Sequence, residues 1–301
     1  MTFTLKKLMR PLLVLSLAAG VLTGNTALAS DNAKPALTLD IYNPGRQALF
    51  PVSSVIVAGQ HDAILVDAQF GRAQAAQVVE KIRTSGKHLT TIYISHGDPD
   101  YYFGLDTITA AFPDAKVVAT PQTVAHIRET ATHKLAFWGP KLGTDAPQKT
   151  IVPEVLKGNT LTLEGKQLKV IGLDGPQPDR SFVWIPSIKA VVGGVVLFND
   201  EHVWMADTQS SKSHQDWLKT LKRIDQLKPV TVVPGHFGEG AAMDRSAVTF
   251  TRNYIQTFDA ETTKASDSTA LIKAMQEHYP ALTEISSLSL SAKVAKGEMK
   301  W

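Results

Sequence analysis

The sequence predicts an α/β protein in which two β-sheets stack face to face with helices outside. Three observations carry this. Short β-branched runs recur along the chain, helical periodicity appears between them in both halves, and no low-complexity linker divides the two. Val55-Ile56-Val57 and Ala63-Ile64-Leu65-Val66 flank the turn cluster Gly59-Gln60-His61-Asp62 and read as a hairpin. Residues 72–85 then place Ala75, Val78, Val79 and Ile82 on one helical face, closed by Gly86. Residues 90–94 form the next strand and run straight into His96, completing a strand–helix–strand unit. In the second half, Leu161-Thr162-Leu163, residues 168–171, 182–185 and 190–192 read as strands. Residues 213–227 form a helix with Trp217, Leu218, Leu221 and Ile224 on one face, stopped by Pro229. Residues 230–233 form a last strand that delivers Pro234-Gly235-His236. From about residue 245 the tail is helical, with Ala247, Phe250, Tyr254 and Phe258 spaced to share a face.

Residues 1–29 are set apart from this fold as a cleaved signal peptide. Lys6, Lys7 and Arg10 precede an apolar run at 11–21, and Ala27-Leu28-Ala29 supplies small residues for cleavage. The run is shorter than the ~18–20 residues of a spanning helix, so an uncleaved anchor is the weaker reading. The expectation is an exported, periplasmic or secreted protein with no membrane association after cleavage. The whole chain carries 31 basic and 28 acidic residues, and the leader holds three of the basic ones and no acidic ones. The remainder is therefore electrically neutral, and no basic run exceeds two residues, which argues against a nucleic-acid partner. With no cysteine, an exported domain of this size must rely on one large core from residue 30 to 301.

Chemistry concentrates where strands end. His96, Asp98 and Asp100 lie within five residues at the end of a strand, where α/β sheets gather their functional groups. An imidazole and two carboxylates at alternating positions are suitable ligands for a divalent cation, although Gly, Asp and Pro here also make a polar turn. His236 repeats the design, since residues 230–233 lead into it as residues 90–94 lead into His96. Asn199 and His202 lie just past residues 195–198, read as a strand, and fall at the rim of the same crevice as substrate contacts. Trp138, Trp184 and Trp204 are either pocket walls or core. His61, His88, His126, His133, His214 and His278 have no partners at ligand spacing and read as surface residues. No phosphate loop, dinucleotide fingerprint or serine elbow is present.

Together, residues 64–67, the helix after them, the loop at 95–104 and the late Gly235-His236 resemble the metallo-β-lactamase superfamily. Residues 179–186 and 190–202 resemble the middle strands of its exported, hydrolase-like members. The resemblance covers most of residues 50–260 and implies an αββα sandwich of two mixed sheets flanked by helices. Asp67 stands where the family has an aspartate at the end of an early strand. His96, Asp100 and His236 match the first histidine, the aspartate and the last histidine of its metal site. Asp98 and Tyr101 stand where two further histidines belong, and Val195 where an aspartate bridges two cations. For the ligand from the middle of the chain, Asp174 in Gly172-Leu173-Asp174-Gly175 is the match.

These substitutions imply a single divalent cation held by all or some of His96, Asp98, Asp100, Asp174 and His236. Zinc leads, and the carboxylates shift preference toward manganese or iron. Asp100 would act as ligand and proton acceptor. Tyr101 is either a substrate contact or a packed aromatic, since a neutral phenol is a poor ligand. Two functions are implied by the resemblance. One is a metal-dependent hydrolase acting on a small molecule. The other is a member of the fold that has lost catalysis and binds a small molecule or protein in the old crevice.

Overall fold

A computed structural model describes residues 1–2 and 36–301. The leader read in residues 1–29, apart from Met1 and Thr2, lies outside them. The first sheet begins with β1 (Thr38–Tyr42), β2 (Ser54–Ala58) and β3 (Asp62–Val66), antiparallel in that order. Helix α1 (Arg72–Ser85) crosses over to β4 (His88–Ile94), which lies parallel to β3. Short helices α2 (Pro99–Tyr102) and α3 (Leu105–Ala111) lead to β5 (Lys116–Ala119). Helix α4 (Pro121–Leu142) then crosses to β6 (Glu154–Val155), and the sheet runs β1 to β6 in chain order.

The second sheet is built from β7 (Thr160–Leu163), β8 (Lys166–Ile171), β9 (Phe182–Ile185) and β10 (Ala190–Val192). A short β11 (Phe198–Asn199) comes next, then α5 (Ser211–Leu227), β12 (Thr231–Val232) and β13 (His236–Phe237). The sheet order is β12-β10-β9-β8-β7, while β11 and β13 pair separately and parallel. Helices α6 (Ser246–Lys264), α7 (Ser268–His278) and α8 (Ile285–Ala295) complete the chain. The predicted α/β class with two mixed sheets flanked by helices is the architecture found.

The two-residue period of the strands sorts their side chains into two cores. Val55, Val57, Ile64 and Val66 of the first sheet meet Leu168, Val170, Val183, Ile185, Ala190 and Val192 of the second. The residues between them point the other way: Ile56, Ala63 and Leu65 join Ala75, Val78, Val79 and Ile82 of α1, while Val191 joins Trp217, Leu221 and Ile224 of α5. Each fully buried Val, Leu or Ile among them contributes about 1.5–3 kcal/mol, so the sheet–sheet and sheet–helix layers are both strongly specified. Helix α1 has the bounds its periodicity predicts, ending at Gly86 with φ 65. Helix α5 starts two residues earlier than predicted, at a capping box between Ser210 and Ser213. The strand expected at 195–198 reduces to Phe198–Asn199, because Gly193 and Gly194 turn the chain with φ 69 and 85. Among the described residues no helix is long and apolar enough to cross a membrane.

Candidate functional site

The loop after β4 is fixed from below by a buried carboxylate. Asp67, just past β3, is in the left-handed region at φ 66, and its side chain accepts from the Ser95 amide (2.8 Å) and hydroxyl (2.7 Å). Ser95 Oγ in turn accepts from the Gly194 amide at 2.7 Å. A Cβ at Gly194 would fall 2.1 Å from the Ser181 carbonyl oxygen, so this junction between the sheets requires glycine. Burial pushes the Asp67 carboxyl up to about 7, against the lowering effect of the Ser95 bonds. Asp67 is thus a positioning residue for the loop.

Two imidazole–carboxylate pairs stand on this base. His96 Nε2 lies 3.0 Å from Asp98 Oδ2, and its Nδ1 lies 3.3 Å from the Asp179 carbonyl oxygen. His236, at the start of β13, has Nε2 3.3 Å from Asp100 Oδ2, and its Nδ1 donates to the Pro51 carbonyl at 2.7 Å. Asp98 is the N-cap of α2 but makes no side-chain cap bond, which leaves its carboxylate for other partners. The Tyr101 ring stands edge-on to both imidazoles, 5.3 Å from His96 and 5.7 Å from His236, and its hydroxyl is buried without a partner. Burial opposes charge on both histidines, yet their carboxylate partners prevail. His96 rises above the ordinary imidazole range, and Asp100 with Glu201 brings His236 to about 9. Burial also raises Glu201, to about 8, against the lowering effect of His236.

The other wall comes from α4. Thr120 caps this helix by accepting from the Thr123 amide, with Pro121 in the first turn. Thr123, His126, Thr130, Lys134 and Phe137 recur at three- and four-residue spacing and face a cavity of about 660 Å³. Lys134 Nζ is 2.7 Å from Asp98 Oδ1, 3.0 Å from the Gly97 carbonyl oxygen and 2.9 Å from His126 Nε2. With His96 and Lys134 both beside it, Asp98 is held well below the usual carboxylate range despite its burial. Phe50, Phe70, Trp138, Trp204 and Trp301 give the cavity an aromatic side, with Phe50 edge-on to Trp138 at 5.4 Å and to Trp204 at 5.9 Å.

The cavity therefore brings together His96, Asp98, Asp100, Tyr101 and His236 of the predicted site. It does not include Asp174, Asn199 or His202. Asp174 is on the surface with 76% of its side chain exposed, paired with Arg223 at 2.6 Å. The middle segment that does reach the cavity is three to six residues further on, at Gln177, Asp179 and Arg180. Asn199 is buried and donates to the Ala242 carbonyl at 3.0 Å. His202 is buried against Tyr254, its Nδ1 2.9 Å from the hydroxyl, and burial lowers it to about 4. His126 and His133 are exposed as expected and stand at the mouth of the cavity, whereas His214 is buried 2.5 Å from Asp259. Of the three tryptophans, Trp138 and Trp204 are cavity walls, whereas Trp184 packs against the core.

The donors do not fit the single-cation site expected from the sequence. A tightly held zinc takes three or four protein ligands. Among the described residues no three His, Cys, Asp or Glu side chains are grouped to hold a metal ion. Each pair offers one nitrogen and one carboxylate, Asp174 is elsewhere, Val195 has no donor, and an ammonium already occupies the second oxygen of Asp98.

Comparison with known proteins agrees with the architecture. The profile of the metallo-beta-lactamase superfamily matches residues 48–236. A metallo-beta-lactamase family protein from Thermus thermophilus aligns over 87% of this chain and 92% of its own, with a TM-score of 0.59 and 19% identity. A metallo-beta-lactamase from Pontibacter korlensis aligns over 73% and 99%, with a TM-score of 0.54 and 19% identity. In sequence, the uncharacterized protein YobT of Bacillus subtilis (strain 168) is 32% identical over 71 residues, which is 24% of this chain and 30% of that relative. The structural likenesses speak for the fold and the profile for descent: the chain belongs to the metallo-beta-lactamase superfamily.

Proposed function

We propose that this chain binds a small organic molecule in the crevice, and that internal ion pairs hold the binding wall where its family typically holds divalent metal. The observation that carries the reading is Lys134, whose ammonium sits on Asp98, Gly97 and His126 and neutralises a carboxylate a cation would need. The cavity volume of about 660 Å³ is in the range of small-molecule sites, and its aromatic side offers an apolar body a dry surface. Chelation followed by reconstitution with zinc, manganese or iron, read by elemental analysis, tests this. The expected result is far less than one metal per chain and an unmoved melting temperature. Stoichiometric metal that disappears in a His96→Ala/His236→Ala variant would overturn it.

A metal-dependent hydrolase is the second reading, and one observation favours it. Both imidazoles place Nδ1 at a main-chain carbonyl and turn Nε2 toward a carboxylate, the orientation that metal-bound histidines adopt. The same titration separates the two readings. For location, we propose export through the leader at residues 1–29. N-terminal sequencing of the protein recovered outside the cytoplasm should begin near residue 30, and recovery only from the cytoplasm with an intact leader contradicts it.

A further inference from the structure

Arg180 is a buried cation with no anion in direct contact. It is 3% exposed and lines the cavity, its guanidinium lies over the Trp217 ring at 4.6 Å, and its Nη1 has no hydrogen-bond partner. Among the described residues no carboxylate is within salt-bridge distance of it, although its charge reaches Asp207 across a longer gap and has a lowering effect on that carboxyl. Leaving a guanidinium N–H buried and unpaired is costly, so the fold holds it there for a partner that arrives from outside. The nearby acids are already committed. Asp98 is bound by Lys134 and His96, Asp100 by His236, and Asp207 accepts from the Trp204 indole at 2.8 Å and the Trp301 indole at 2.6 Å. Gln177, in the same segment, also carries a buried side-chain oxygen without a partner on the cavity wall.

We propose that Arg180 is the anion-recognition residue of this crevice, and that the ligand is an organic carboxylate with an aromatic or apolar body. The planar fork of the guanidinium matches a carboxylate, with Nη1 supplying an N–H that has no other acceptor. The body of the ligand lies against Phe50, Phe70, Trp138 and Trp204. Between a carboxylate and the neutral amide on the same carbon frame, only the carboxylate offsets the stranded charge. This rests on the reading that the crevice binds a small organic molecule.

Isothermal titration of the purified chain with benzoate, 4-phenylbutyrate and 2-naphthoate, each beside its primary amide, tests the proposal without any mutation. The acids should bind about tenfold or more tighter than their amides, and the advantage should vanish in Arg180→Gln. Arg180→Lys keeps the charge but not the fork and serves if the glutamine variant unfolds. It should retain part of the preference. Amides that bind as tightly as acids overturn the role of Arg180 while leaving a small-molecule crevice standing. A panel in which neither acids nor amides bind overturns the binding reading itself, and this inference with it.

Discussion

The two histidine–aspartate pairs of the crevice are built alike and completed differently. His96 comes after β4 and His236 opens β13, and each has Nδ1 at a carbonyl and Nε2 at a carboxylate. Beside Asp98, α4 adds a lysine at 2.7 Å, and Arg180 lies near His96. Beside His236 there is instead a second acid, Glu201, at 3.9 Å, and Phe198 stacks on the imidazole at 5.0 Å. The first pair thus has cations for neighbours, and the second has a further acid. Under the proposed binding reading, this asymmetry gives the crevice a cationic and an acidic side with which to orient a polar ligand.

The largest effect should come from breaking the second pair. His236→Leu leaves Asp100 and the Pro51 carbonyl without a donor and should cost about 3–5 kcal/mol in denaturant unfolding at pH 7, part of it recovered by adding Asp100→Asn. A third imidazole, His202, is the contrast, because it is buried with no carboxylate. Its folded value near 4 lies below the ordinary 6.5, so its contribution is present above pH 6.5 and is lost as pH falls toward 4. That loss amounts to roughly 3 kcal/mol, and His202→Gln should remove it, as paired urea titrations at pH 7 and pH 4.5 would record.

Lys134→Met strips the cation from the first pair, which is less enclosed, and should cost about 1–3 kcal/mol. It also frees Asp98 Oδ1, so the variant should take up zinc more readily than the parent in a competition assay. Tyr101→Phe removes a buried hydroxyl with no partner and should be neutral or stabilising by up to about 1 kcal/mol. Asp174→Ala should leave ligand affinity and metal content unchanged, because its side chain is paired with Arg223 on the surface, away from the cavity.

Legibility in the sequence depended on how each part is determined. The β2–β3 hairpin and α1 were readable because a two-residue or 3.6-residue apolar period must face a core, and Gly86 marks an end. His96, Asp98, Asp100 and His236 were readable because a buried strand fixes the position of the residues just beyond its end. Helix α4 was not, although Thr120-Pro121 is a start signal. Only Thr123, Val124, Ile127 and Ala131 of its 22 residues are buried, so its functional face is polar and looks like any solvated surface. Lys134 therefore reads as an ordinary lysine until its partner 36 residues earlier is placed beside it. Asp174 misled because the loop before β9 has no periodicity to fix its register, and the cavity takes Gln177, Asp179 and Arg180 instead. His202 lies beyond the short β11, and its position is decided by α6 through Tyr254.

The central claim is that an ammonium holds Asp98 where a metal ion would otherwise be bound. The most direct measurement is an anomalous difference map at the zinc edge from crystals grown with excess zinc. The expected result is no peak between His96 and Asp98, with Lys134 Nζ in hydrogen-bond contact with Asp98 Oδ1. A peak ligated by His96 Nε2 and Asp98, with Lys134 displaced, would contradict it.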